Sequence, residues 1–255
     1  MNEKDYLYDL LVHDLASPLA VVATTVNNLL CKSDRYGALN ESQKACLERV
    51  QRNTQKAQGL LQDMLEVARS EESIFRGSPF LAEEVMREAL LEVFETVDSQ
   101  AREELTAAQS QGEWQRILAG RGISVHVSGR YATRPFFHDR RKVLQILRNL
   151  VSNALKYRAQ RMGLSISGDQ DLIVEVSNDG PGIPEKDREA VYKRFVRVSS
   201  SNPKDAPGLG LGLFCIKALV EGMKGDISLG SREGFGTIFT VRIPSLQTGR
   251  DKEDS

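Results

Sequence analysis

Apolar residues recur at spacings of three and four through the first thirty positions. Leu11, Leu15, Leu19, Val22, Val26 and Leu29 form one stripe of a helix predicted over roughly residues 4–31. Ser33, Asp34 and Gly37 interrupt the pattern and predict a connection over 32–39. Asn40 followed by Gln43 is a capping pair for a second helix, along which Leu47, Val50, Thr54, Ala57, Leu61, Met64 and Ala68 repeat in a nearly strict heptad. Two such helices cannot bury their stripes alone. The economical arrangement is a homodimeric four-helix bundle with two-fold symmetry, and a hairpin docked on the next domain of its own chain is the alternative.

The pattern changes after residue 70. Gly77 and Pro79 punctuate a break over 71–79, and a helical period resumes from Phe80 through Val85, Ala89, Leu90 and Val93, continuing with more polar character to about Ala119. Ile123 to Ser128 alternates and predicts a strand that includes His126. Asp139 caps a helix running to about Arg158, with Val143, Leu147, Leu150 and Ala154 on its core face, and His138 reads as a loop or cap residue. Strands follow at 164–167 and 172–178 around a Gly168-Asp169 turn, then a helix from Glu185 to Phe195 and a mobile loop over 199–207. Gly208-Leu-Gly-Leu-Gly-Leu213 opens another helix, a hairpin around Glu233-Gly234 joins strands at 226–231 and 237–243, and the polar tail from Gln247 reads as disordered.

The composition narrows the classes. In 255 residues the chain carries 34 basic and 35 acidic side chains, a formal net charge of -1, so nothing global recruits nucleic acid or an anionic membrane. Cys31, Cys46 and Cys215 are scattered with no CxxC pair and read as reduced thiols of a cytoplasmic protein. No apolar run approaches the roughly 18–20 residues of a membrane span, and Met1 to Asp5 is no signal peptide, which predicts a soluble chain with no membrane segment.

Candidate chemistry lies in both halves. At about 100° per residue His13 points roughly 200° away from Leu11 and Leu15, toward solvent, with Asp14 beside it and Ser17 one turn on. Pro18 cannot donate to the carbonyl of Asp14 and frees an acceptor near the imidazole. Asn149 and Asn153 stand one i,i+4 step apart in a helix interior, where asparagine costs propensity, and Lys156 and Tyr157 follow, which suggests a ligand. Asp179-Gly180-Pro181-Gly182 at a strand's end turns the backbone tightly and aims a carboxylate at something planar and polar. The glycines at 208, 210 and 212 before a helix start expose N–H groups suited to phosphate. Neither a Walker lysine nor a Rossmann spacing is present.

Taken together, HDLASPL, RNLVSNALKY, SNDGPGIP, YKRFVR, GLGLGL and GFGTIFTVRIP resemble, in order, the H, N, G1, F and G2 boxes and closing strand of sensor histidine kinases of two-component systems. The resemblance implies an α+β chain: a dimerisation and histidine phosphotransfer hairpin at 1–70, a linker at 71–79, an α/β-sandwich ATP-binding domain of the Bergerat (GHKL) type at 80–245 and a tail at 246–255. It also implies catalytic roles for His13, Asp14 and Ser17, with His13 phosphorylated from ATP, Asp14 orienting the ring and acting as base, and the phosphoryl group passed to an aspartate of a response regulator. Asn153 would hold Mg²⁺ across the phosphates, and Asn149, Lys156 and Tyr157 would line the nucleotide. Asp179 would read the adenine amino group, Gly180 and Gly182 would shape that pocket, Phe195 and Arg197 would border a lid, and Gly208, Gly210 and Gly212 would wrap the phosphates. Ile183, Leu209, Leu211, Leu213 and Thr237 complete the implied nucleotide-binding set.

Three departures stand out. Ser17 occupies a position where kinases that also dephosphorylate their regulators often carry Thr or Asn, leaving phosphatase activity open; Tyr192 and Val196 replace commoner aromatics around Phe195; and the stretch from about Asp98 to Gly120, with Trp114, is longer than usual and predicts an extended helix or a packed helix pair. Two alternatives compete with the kinase: a silent phosphotransfer adaptor on the same fold, and a related ATPase of the chaperone, gyrase or mismatch-repair kind. No sensory domain precedes the dimerisation helix, so the expectation is either a fragment of a longer sensor or input from a separate protein that binds the bundle.

Overall fold

The computed structural model describes residues 3–70, 75–192, 212–232 and 236–246, and at 3–14, 33, 34, 55, 56, 59, 60, 62–70 and 232 it describes the backbone alone. Helix α1 (Glu3–Cys31) packs along α3 (Glu41–Ser70), with a single turn, α2 (Ser33–Tyr36), inside the connection expected to be irregular. The capping pair forms at the start of α3: Gln43 N–H donates to Asn40 Oδ1 at 2.8 Å and Asn40 N–H donates to Gln43 Oε1 at 3.0 Å. Val26, Thr54 and Leu61 are buried between the helices, whereas Leu15, Val21, Val22 and Val50 remain exposed. One chain therefore covers only part of its own apolar stripe.

The break expected before the second domain contains β1 (Ser78–Phe80), paired antiparallel with β3 (Phe136–His138). His138 is thus a strand residue and not a loop residue. It is wholly buried, stacked on Phe136 with ring centroids 6.1 Å apart and met edge-on by Phe75 at 5.5 Å. Burial, with Lys142 adding to it against the opposing pull of Asp139, lowers its pKa to about 4, so the ring is neutral.

The long helical pattern after Phe80 divides into α4 (Ala82–Val97), α5 (Ser99–Ala107) and α6 (Gln111–Ala119). Short polar side chains make the divisions: Asp98 Oδ1 accepts from Ala101 N–H at 3.0 Å, and Ser110 Oγ accepts from Glu113 N–H at 3.2 Å. The extra stretch is a packed helix pair, anchored by Trp114, which is 1% exposed and lies under the Arg87 guanidinium, 4.5 Å from the ring centre.

Among the described residues the second domain has a five-stranded mixed sheet in the order β2-β4-β5-β7-β6, where β2 is Ile123–Val127, β4 Met162–Ser167, β5 Asp171–Asn178, β6 Asp226–Arg232 and β7 Gly236–Pro244. Only β2 and β4 run parallel. Its core face rests on α7 (Arg140–Tyr157) and α8 (Gly212–Gly222), with α4 packed on α7. Val143, Ile146, Leu147, Leu150, Val151 and Ala154 form the buried stripe of α7. Alternation along β5 buries Leu172, Val174 and Val176 against it. The helix expected from Glu185 is instead two 3-10 turns, Glu185–Asp187 and Ala190–Tyr192.

Candidate functional site

The site grows out of the second half of α7. Asp139 caps that helix, its Oδ1 accepting from the N–H groups of Arg141 and Lys142 at 3.1 and 3.3 Å, and so fixes which residues face α8. Asn149 and Asn153, both half-buried, face the first residue of α8: a methyl group built on Gly212 would lie 3.7 Å from Asn153 Nδ2 and 4.0 Å from Asn149 Oδ1. Two amides thus stand near the N-terminus of an eleven-residue helix, where backbone N–H groups and the helix dipole favour anions. One turn beyond Asn153, the Lys156 ammonium lies 5.0 Å from the Tyr157 ring centre, and that ring is exposed.

The other wall is the end of β5. Asp179 Oδ1 accepts from three successive backbone N–H groups, those of Ala159, Gln160 and Arg161, at 3.0, 3.0 and 2.8 Å. The N–H groups of Gln160 and Arg161 above all hold the carboxyl down at about 2, below its usual range. The bonding oxygen holds the chain where it leaves α7, and Oδ2 lies 3.5 Å from the Arg161 Nε. Gly180 permits the close approach: a Cβ there would fall 2.0 Å from the Tyr157 carbonyl oxygen. Gly182 adopts φ +78°, which L side chains rarely take, and leads into Ile183, whose N–H donates to Ser231 Oγ at 2.7 Å. Ser231 Oγ lies 3.1 Å from the buried Thr237 hydroxyl. Leu213 packs against the core.

Of the other expected residues, Phe195, Arg197, Gly208, Leu209, Gly210 and Leu211 lie outside the described residues. His13 and Asp14 sit on the backbone of α1, which continues through Pro18, and Ser17 one turn on is exposed. Two residues of this wall were not foreseen, Asn178 at the end of β5 and Ser231 on β6. Strict alternation marks the first, since Asn178 stands in phase with Val174 and Val176 and so belongs to the core face. Among the described residues no group of three or more His, Cys, Asp or Glu could hold a metal, and no helix is long and apolar enough to cross a membrane.

Two family models match the chain. Residues 7–73 match the His Kinase A (phospho-acceptor) domain, and residues 138–247 match the histidine kinase-, DNA gyrase B- and HSP90-like ATPase. Among curated proteins, the adaptive-response sensory kinase SasA of Synechococcus sp. (strain JA-2-3B'a(2-13)) is 30% identical over 252 residues, 96% of this chain and 60% of that protein. The sensor histidine kinase WalK of Bacillus subtilis (strain 168) is 36% identical over 121 residues, 46% of this chain and 20% of that protein. The chain therefore spans a fifth to three fifths of the length of these relatives. In structure it resembles full-length ShkA crystallised with AMPPNP, with a TM-score of 0.67 and 21% identity over 95% of this chain and 46% of that one. The histidine kinase AdeS of Acinetobacter baumannii follows, with a TM-score of 0.54 and 20% identity over 92% of this chain and 98% of that one. With a phospho-acceptor helical hairpin ahead of an ATPase sheet packed on α7 and α8, the chain belongs to the sensor histidine kinases of two-component systems.

Proposed function

We propose that this chain phosphorylates its own His13 from ATP and passes the phosphoryl group to an aspartate of a response regulator. The observation that carries the reading is the approach of Asn149 and Asn153 to the first residue of α8, the cleft proposed here for the nucleotide, in the same chain as a histidine on a long helix. The triphosphate enters that cleft with its charge against the helix terminus and the Asn149 and Asn153 amides, and Lys156 and Tyr157 line its side. The loops carrying Gly180, Gly182 and Ile183 on one hand and Thr237 on the other close around the base. Phe195, Arg197 and the glycines and leucines from Gly208 to Leu211 complete the enclosure.

An imidazole nitrogen of His13 attacks the γ-phosphorus in line. The N–P bond forms as the bond from phosphorus to the β–γ bridging oxygen breaks, and ADP leaves with that electron pair. The attacking nitrogen must be neutral, so Asp14 accepts the proton from the other ring nitrogen and fixes the tautomer. Mg²⁺ fits a donor set of one amide oxygen, Asn153, together with substrate phosphates and water, and when bound it offsets charge on those phosphates. The exposed apolar residues of α1 and α3 are covered by a second copy of the chain, giving the four-helix bundle that presents His13 and Ser17 at its surface.

The test is incubation with Mg²⁺ and γ-labelled ATP. Wild type should acquire label that is stable to alkali and labile to acid, while His13→Ala and Asn153→Ala should each lose at least about 99% of it. Label that survives in His13→Ala would remove the nucleophile. A wild type that binds ATP and acquires no label would favour the adaptor.

A further inference from the structure

The core face of the sheet changes character row by row. Across β5, β7 and β6 the register gives Val174, Val241 and Ile227, then Val176, Phe239 and Leu229, and finally Asn178, Thr237 and Ser231. Two apolar rows packed on the core are followed by one in which every side chain carries hydrogen-bonding groups, at the end where α7 delivers Tyr157. Polar groups on a core face are costly unless they are paired, so a complete row of them marks where the core gives way to a polar ligand. In this row the Thr237 and Ser231 hydroxyls bond to one another, and Ser231 Oγ also accepts from Ile183 N–H and donates to the Gly236 carbonyl. Asn178 is different: its Oδ1 accepts from Gly180 N–H at 3.0 Å, and among the described residues its Nδ2 makes no hydrogen bond.

That bond fixes the amide. The Gly180 N–H demands an acceptor, so oxygen faces the loop and the Nδ2 donors face away from it. Next door the Asp179 oxygen that makes hydrogen bonds is already occupied by three N–H groups. Building on the nucleotide site proposed above, we infer that Asn178 reads the purine edge, that it does so as a donor, and that the site therefore accepts 6-oxo purine nucleotides as well as ATP. A carboxylate in this place could only accept, pairing with the adenine amino group and repelling a 6-oxo group. An amide donor pairs with adenine N1 or with a purine O6. Asp179 is then a positioning residue, which holds the base-side floor through residues 159–161.

Inosine triphosphate is the probe, since it differs from ATP at the base edge alone. Dissociation constants for Mg-ATP and Mg-ITP would be measured on the full chain by titration calorimetry, with no dependence on phosphorylation. Wild type should bind ITP within about tenfold of ATP, and Asn178→Asp should weaken ITP relative to ATP by a further tenfold or more. Asp179→Asn should weaken both nucleotides in parallel, leaving their ratio unchanged. The inference is overturned if wild type binds ATP and rejects ITP by more than about a hundredfold, or if Asn178→Asp leaves the ratio where it was. The wild-type ratio needs no folded variant. A wild type that binds neither nucleotide would sink the nucleotide site itself, and this inference with it.

Discussion

Asp179 and His138 show how two buried or bonded titratable groups give the ATPase domain separate acid transitions. Asp179 is held ionised by backbone N–H groups, so its contribution to stability is complete above the usual carboxylate value of 3.8 and is lost as pH falls toward about 2. His138 is neutral when folded and takes a proton near 6.5 when unfolded, so its contribution is complete above about 6.5 and falls away as pH drops toward about 4. Scanning calorimetry between pH 7 and 2.5 should therefore show two declines in Tm. The upper one should flatten in His138→Phe, which keeps an aromatic ring between Phe136 and Phe75. The lower one should flatten in Asp179→Asn. At this scale the sequence revealed residue type but not partner. Asp139 could be read as a cap because the N–H groups that donate to it lie two and three residues ahead. The partners of Asp179 lie 18 to 20 residues away, at the end of another element, where no local pattern points.

At the scale of elements, length decided what the pattern could show. The amphipathic stripes of α1, α3 and α7 span many turns and place those helices, and the start of α4, within a few residues. β1 and β3 hold three residues each, too few for a period, and each exists because the other satisfies its backbone groups. The division of the 80–119 run into α4, α5 and α6 depends on Asp98 and Ser110 acting as caps within an otherwise helical composition. That helix pair is core, not appendage, because Trp114 closes it against the domain. Trp114→Ala should cost roughly 3–5 kcal/mol in urea unfolding, through the void it leaves. Asp139→Ala should cost about 1–2 kcal/mol through the cap of α7. The same residue also accepts from Arg76 N–H at 3.0 Å through Oδ2, so that variant should loosen the junction between the halves, and limited proteolysis should cut near residue 76 faster than in wild type.

For the whole molecule, the linker end is clasped from two sides. Arg76 bonds to the cap of α7, and the Phe75 ring reaches the last residue of α8, where a methyl group on Gly222 would sit 3.4 Å from Phe75 Cζ. The hairpin thus joins the ATPase domain next to α7 and α8, but it brings an incomplete interface of its own. Val21 is 63% exposed and Leu15 52%, on a helix that packs chiefly along α3, and Val22 and Val50 are exposed as well. Exposed large apolar residues are ordinary when scattered, as at Val21, yet Leu15 and Val22 follow a helical stripe that continues into the buried Val26, and Val50 lies on the heptad of α3. A second chain packing its α1 and α3 against the first buries all of them with one two-fold operation. Light scattering at micromolar concentration should give a mass near twice 28.4 kDa for wild type, and Val22→Arg, which places a charge in the stripe, should shift the protein toward 28.4 kDa without loss of helical circular dichroism. A wild type that scatters as a single chain at all concentrations would remove the bundle, and with it the reason for so regular a heptad.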